Sequence, residues 1–189
     1  MTLWLVRHGE TEWSESGRHT GRTDIPLLPR GVARAEAVGA RLAQAAPDPA
    51  LVLTSPLLRA AETCRLAGFG ERADPCDDLQ EWDYGDYEGK TTEEIRAVRP
   101  GWTIWHDGVP GGETAADVGR RADRVIERAR SADGDVLLFS HGHFLRVLAA
   151  RWVGLPPAGG RLLALRAGGI SALGWERETP VVSSWNLAD

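Results

Sequence analysis

Four nitrogen-bearing side chains define the chemistry open to this chain of 189 residues. Arg7 and His8 stand side by side in LVRHGETEW, Arg59 lies in SPLLRAAETC, and His141 lies in SHGHFLRV. An imidazole is a nucleophile when one ring nitrogen keeps its lone pair and the other is held by an acceptor. Guanidinium groups grip phosphoryl oxygens as charged forks, and a helix N-terminus adds backbone donors. Burying an Arg-His pair without a use or a partner would cost on the order of several kcal/mol. The pair therefore points to chemistry on an anionic group and not to packing. His141 and His143 also make a His-x-His pair. Zinc sites need three or four ligands, however, and no cysteine or further histidine stands at a suitable spacing. No metal and no cofactor is expected, and His143 is expected to face away from His141 or to pack in the helix that follows.

Three short, unbroken apolar runs precede these residues: LWLV (3–6), LVL (51–53) and VLLF (136–139). Continuous hydrophobicity predicts strands covered on both faces, as in a parallel sheet. At their carboxyl ends stand Arg7 and His8, then Thr54, Ser55 and Arg59, then Ser140 and His141. Ligands of open parallel sheets bind beyond the carboxyl ends of the strands, so the four side chains are expected to converge. Helical spacing appears over 31–46, where Pro47 ends the run, and over 114–131. Ser55 and Pro56 predict an N-cap and first turn, and Thr91 with Glu94 has capping-box spacing. The tail from Arg161, with Gly168 and Gly169 between apolar segments, predicts an antiparallel hairpin at one edge. The expected fold is α/β, a three-layer α/β/α sandwich with a mostly parallel central sheet and an antiparallel edge hairpin. The irregular stretches 9–29, 77–90 and 101–113 are long enough to suggest function.

Composition narrows the partners. With 22 basic and 27 acidic side chains the net charge is -5, which disfavours nucleic acid and anionic membrane surfaces. An anionic ligand must then be held by a local cluster. GDYEGKT (85–91) mimics a P-loop, but it is one residue short between its glycines, and Asp86 and Glu88 would oppose phosphate. Cys64 and Cys76 have neither metal-ligand nor disulfide-framework spacing, and no charged-then-apolar leader precedes the first run, so a cytoplasmic location is expected.

The blocks LVRHGETEW, SPLLRAAETC, LQEWDYGDYEG and SHGHFLRV, in this order, resemble the histidine phosphatase superfamily, also called phosphoglycerate mutase-like, over nearly the whole chain. The resemblance implies one histidine phosphatase domain over 1–189 and a phosphohistidine mechanism without metal. It makes His8 the nucleophile, Arg7, Arg59 and His141 the phosphoryl pocket, and Glu81 the general acid. Thr20, Gly21 and Ser14 are implied to border the substrate; many relatives carry asparagine where this chain has Ser14. His8 needs an acceptor on one ring nitrogen, and a backbone carbonyl in the Gly9 turn is the expected one. Arg7, Arg59 and, if protonated, His141 would neutralise the phosphoryl oxygens. Glu81 would carry a proton as the alkoxide leaves and lack it when water attacks.

The same machinery serves hydrolysis and phosphoryl return. Mutases of the family usually carry longer insertions between the acid and the second histidine, whereas 81–141 is compact here. The blocks are especially similar to the subgroup of bacterial acid phosphatases and the fungal sedoheptulose-1,7-bisphosphatase. The expected function is hydrolysis of a small phosphorylated metabolite, a sugar phosphate or bisphosphate first, with Arg18, His19 and Arg22 holding a second anionic group. A cofactor-dependent phosphoglycerate mutase, an α-ribazole phosphatase and a non-catalytic phospholigand binder are the alternatives, and the edge hairpin leaves a homodimer possible.

Overall fold

A computed structural model describes residues 1–45 and 48–187. In chain order its elements are β1 (Leu3–Arg7), α1 (Glu12–Ser16), α2 (Pro29–Ala45), β2 (Leu51–Thr54), α3 (Leu58–Leu66), β3 (Ala73–Pro75), α4 (Thr92–Val98), α5 (Ile104–Asp107), α6 (Ala115–Arg130), β4 (Val136–Ser140), α7 (Gly142–Trp152), β5 (Ile170–Glu176) and β6 (Thr179–Leu187). Ala46 and Pro47, the expected end of the second helix, lie outside the described residues. The strands form one sheet in the order β3-β2-β4-β1-β5-β6. β3, β2, β4 and β1 run parallel, while β5 and β6 pair antiparallel at the edge.

Both faces of the parallel strands are covered, which explains their lack of alternation. Leu3, Leu5, Val136 and Leu138 pack with Val118, Ala122 and Val125 of α6 and Leu145 and Leu148 of α7. Val6, Val52, Leu137 and Phe139 face the other way, against Val38 and Leu42 of α2 and Cys64 of α3. Each fully buried Val, Leu or Phe contributes roughly 1.5–3 kcal/mol by leaving water. The helices start where the sequence supplies caps: Thr91 with Glu94 and Thr114 with Asp117 form capping boxes.

Two expectations are corrected. Helix α3 begins at Leu58 without a side-chain N-cap from its own turn. Its first amide is met instead by Asp24 Oδ1 at 2.7 Å, and Ser55 turns inward. The hairpin does not turn at Gly168-Gly169, because its turn lies at Arg177, in the left-handed region with φ 56°. Gly168 instead donates its N–H to the carbonyls of Arg7 at 3.1 Å and His8 at 3.0 Å, pinning the end of β1.

Register brings the strand ends together. Arg7 pairs with Ser140 across β1 and β4, and Thr54 with Phe139 across β2 and β4. His8 N–H donates to Ser140 O at 3.0 Å and Ser55 N–H to Phe139 O at 2.9 Å, so the ladder runs on into the loops that carry the chemistry.

Candidate active site

His8 is 5% exposed, and its Nδ1 lies 2.7 Å from Gly9 O. A carbonyl only accepts, so Nδ1 carries the hydrogen and Nε2 keeps its lone pair. Burial, followed by the Arg59 and Arg7 charges, holds this imidazole well below the ordinary histidine range and so neutral. The turn is fixed from α3 as well: Gly9 N–H donates to Thr63 Oγ1 at 3.0 Å, and that hydroxyl donates to Arg59 O at 2.7 Å.

Around His8 stand nitrogen donors without protein partners. Arg7 Nε, Arg59 Nε and His141 Nδ1 are buried and lack a hydrogen-bond partner among the described residues. Each unpaired buried polar group costs about 1–3 kcal/mol. Arg7 is held by Nη1 donating to Leu165 O at 2.6 Å. Arg59, fully buried, donates through Nη1 to Thr23 O and through Nη2 to Thr20 O and Gly21 O, at 2.9–3.0 Å. His141 Nε2 lies 2.8 Å from Ser55 Oγ, while the Leu57 N–H donates to the same oxygen at 3.3 Å. No other acceptor for the Ser55 hydrogen is found among the described residues, so the hydroxyl donates to Nε2 and the ring hydrogen sits on Nδ1. Burial, then the Arg59 guanidinium, with Arg7 and Arg121 adding to it, hold His141 well below the ordinary range. It is a neutral donor, not the cation the sequence left open.

Glu81, 8% exposed, receives three backbone amides: Trp82 and Phe144 at 2.9 Å on Oε1, and His143 at 3.0 Å on Oε2. The last two come from the first turn of α7, the helix that follows His141. Arg121 of α6 fixes the segment behind it, donating to the carbonyls of Asp78, Gln80 and Glu81 and forming a fork with Glu113 at 2.8 Å. Asp83 is engaged elsewhere, with the Arg22 guanidinium at 2.8 Å and the Gly85 amide at 3.0 Å.

A cavity of about 190 Å³ opens at this point; Arg7, His8, Ser14, Thr20 and Glu81 are among its lining residues. The Ser14 hydroxyl is committed to its own turn, accepting from Thr11 N–H and donating to Thr11 O, both at 2.9 Å. Gly21 acts through its backbone, as an acceptor for Arg59 and a donor to Glu88. Arg22 is not brought in: its side chain is 73% exposed and drawn off by Asp83. Of the aromatic neighbours, Tyr84 lines the cavity whereas Trp82 is core, with its indole N–H donating to Glu113 O.

Sequence reasoning missed three contributors. Glu88, read only as an argument against a P-loop, accepts from the Gly21 and Thr23 amides and so shapes the loop that holds Arg59. Arg146 lines the cavity one turn beyond His143, with its guanidinium 4.6 Å from the centre of the Trp105 ring. His143 stands in the helix that follows His141, one of the two expectations for it; what the sequence did not show is that its side chain lines the cavity. Arg18 and His19 also line the cavity. Arg59 and His141 are not among the lining residues of this cavity, although the His141 ring stands 5.2 Å from that of His8 between centres. A neutral imidazole, unpaired buried donors on its neighbours and a carboxyl suit displacement at a phosphoryl centre.

Comparison with known proteins gives the family and the fold. The model of the histidine phosphatase superfamily (branch 1) matches residues 3–188. An acid phosphatase of Mycobacterium tuberculosis is 43% identical over 176 residues, 92% of this chain and 86% of that protein. The sedoheptulose 1,7-bisphosphatase of Saccharomyces cerevisiae is 40% identical over 181 residues, 80% of this chain and 67% of that one. A solved structure of an open reading frame from Mycobacterium tuberculosis superimposes with a TM-score of 0.94 at 41% identity, covering 98% of this chain and 97% of the other.

Proposed function

Because the chain belongs to the histidine phosphatase superfamily, we propose that it hydrolyses phosphate monoesters of small metabolites, sugar phosphates or bisphosphates first, through a phosphorylated His8. The observation that carries the reading is the set of unpaired buried donors, Arg7 Nε, Arg59 Nε and His141 Nδ1, on residues neighbouring a neutral imidazole. Donors set in advance where phosphoryl oxygens must sit need no reorganisation during the reaction, and such preorganisation is the largest contribution in many enzymes.

His8 Nε2 attacks phosphorus, forming the P–N bond as the P–O bond to the alcohol breaks. Glu81 gives its proton to the departing oxygen. The resulting carboxylate then takes a proton from water, whose oxygen attacks phosphorus; the P–N bond breaks, and phosphate leaves with Glu81 protonated again. Gly9 O accepts from Nδ1–H throughout, so the positive charge that forms on the ring at phosphorylation meets an acceptor. The small polar cavity, with Arg18 and Arg146 on its walls, suits an oxygen-rich metabolite. The named activities of the acid phosphatase and the bisphosphatase relatives support the same class.

Rapid-quench mass spectrometry is expected to find an acid-labile phosphoryl group on His8 during turnover. His8→Ala should abolish phosphate release, and Glu81→Gln should slow it by about 10²–10⁴-fold. A metabolite panel that includes 3-phosphoglycerate, run with and without chelator, identifies the substrate. Turnover that survives His8→Ala, or phosphoryl return without release of phosphate, overturns the reading.

A further inference from the structure

The mechanism above uses the backbone of His143 but gives its side chain no role, although that side chain lines the cavity. Its Nδ1 lies 2.6 Å from the Tyr84 hydroxyl. Tyr84 is 2% exposed, and no other acceptor for its hydrogen is found among the described residues, so the phenol donates and Nδ1 accepts. Burial, reinforced by Glu81, holds this phenol well above the ordinary tyrosine range, so the hydroxyl keeps its proton. Burial, then the Arg146 and Arg7 guanidinium charges, hold His143 well below the ordinary histidine range, so the ring is neutral. A neutral imidazole that accepts at Nδ1 carries its single hydrogen on Nε2. The hydrogen bond found for this ring among the described residues is the one at Nδ1, and the side chain lines the cavity, so Nε2–H is left for a ligand. The ring is hemmed in by Trp105 at 5.1 Å, Tyr84 at 5.8 Å and His19 at 6.2 Å between centres, and this fixes its direction.

Position decides what the donor meets. The His143 amide donates to Glu81 Oε2 at 3.0 Å, and its side chain lines the same cavity as Glu81, the acid that would protonate a departing alcohol. We propose that His143 is a specificity-determining contact whose Nε2–H donates to an oxygen of the leaving alcohol, and that Tyr84 is the positioning residue that fixes its tautomer. The inference rests on the phosphomonoesterase reading above and narrows it. Leaving alcohols with a hydroxyl or carbonyl oxygen near the ester are favoured, as in sugar and polyol phosphates. An apolar leaving group desolvates the donor without replacing its hydrogen bond, and a site of this kind discriminates against it.

The test compares the wild type with His143→Ala, His143→Gln and Tyr84→Phe on the best-hydrolysed polyol or sugar phosphate of a panel and on p-nitrophenyl phosphate. His143→Ala should lower kcat/KM for the polyol ester about tenfold more than for the aryl ester, mainly through KM. Glutamine keeps an N–H donor of similar reach and should restore most of the difference. Tyr84→Phe should give an intermediate loss and move the ¹⁵N shifts of His143 from a single tautomer to a mixture. Equal losses on both esters in the alanine variant, no recovery with glutamine, or a wild type that accepts the aryl ester and no polyol phosphate would overturn the proposal. A wild type inactive on every ester, with no phosphohistidine, would instead remove the reading beneath it.

Discussion

Ser55 illustrates how a side chain outside the reacting atoms can set the hydrogen that a reacting group presents. Its hydroxyl donates to His141 Nε2, and this leaves Nδ1–H as a buried donor. Without the hydroxyl the imidazole is free to move its hydrogen to Nε2 and turn a lone pair toward phosphoryl oxygens. Ser55→Ala is therefore expected to cost about ten- to a hundredfold in kcat/KM, roughly 1.4–3 kcal/mol of transition-state stabilisation. Ser55→Thr keeps a hydroxyl and should lose far less; equal losses would assign the residue to packing. His8, Arg7, Arg59 and His141 were legible because each follows a strand or opens the helix beyond it, and a parallel register gathers such positions. The turn-mates were not. Ser55 reads locally as a helix cap, and His143 reads as a residue turned from His141 or packed in the helix beyond it, because spacing cannot tell which side chains of that helix's first turn reach the cavity. The pairing of Arg22 with Asp83 was not legible because the two are distant in sequence.

Elements were legible where they are driven by burial and illegible where a distant contact sets their limits. β1, β2 and β4 announce themselves because both their faces are covered, and α6 by its caps and its apolar stripe. The start of α3 depends on a carboxylate 34 residues earlier, and the edge hairpin on a glycine pair engaged with the end of β1. Close approach between elements matters as much. A Cβ on Gly31 of α2 would strike the carbonyl of Glu10, just past the His8 turn. The strongest brace behind the site is Arg121, which ties α6 to the segment bearing Glu81, with only 14% of its side chain exposed. Arg121→Met keeps the apolar stem but frees three carbonyls and strands the Glu113 carboxylate. Breaking a buried pair costs about 3–5 kcal/mol; with both partners partly exposed, about 2–4 is expected here. That corresponds to a fall in Tm of roughly 4–16 °C for a domain of this size. A fall in kcat should accompany it, since Glu81 loses its backing. Adding Glu113→Gln should recover part of the stability, and an unchanged Tm with unchanged kcat would refute the brace.

At the scale of the whole molecule, a net charge of -5 surrounds an interior that holds its histidines neutral. His8, His19, His141 and His143 are all held below the ordinary histidine value, with burial the leading cause in each. An unfolded chain protonates these rings as pH drops through about 6.5, whereas the folded protein does not. Below that pH the unfolded state binds more protons, so stability falls with pH, by up to about 1.4 kcal/mol per histidine per pH unit. Glu62, Glu94 and Asp117, held below their ordinary values by Arg65, the Thr91 amide and Thr114 in turn, act with the same sign in a more acid window. Calorimetry across pH 8 to 5 should show Tm steady at first and then declining below about 6.5; a flat profile would contradict it. Catalysis responds in the opposite sense. A neutral His8 remains a nucleophile at pH values that would protonate an exposed histidine, so the acid limb of kcat/KM should lie below about 6.5. Activity should therefore outlast stability on the acid side. Brief assays at pH 5.5 should retain turnover, while incubation at the same pH before substrate is added should inactivate the protein. Inorganic phosphate, as a ligand of the proposed site in the folded state, is expected to slow that inactivation. If brief assays and pre-incubated samples lose activity together at every pH, titration at the site itself sets the limit, and the neutral buried nucleophile is wrong.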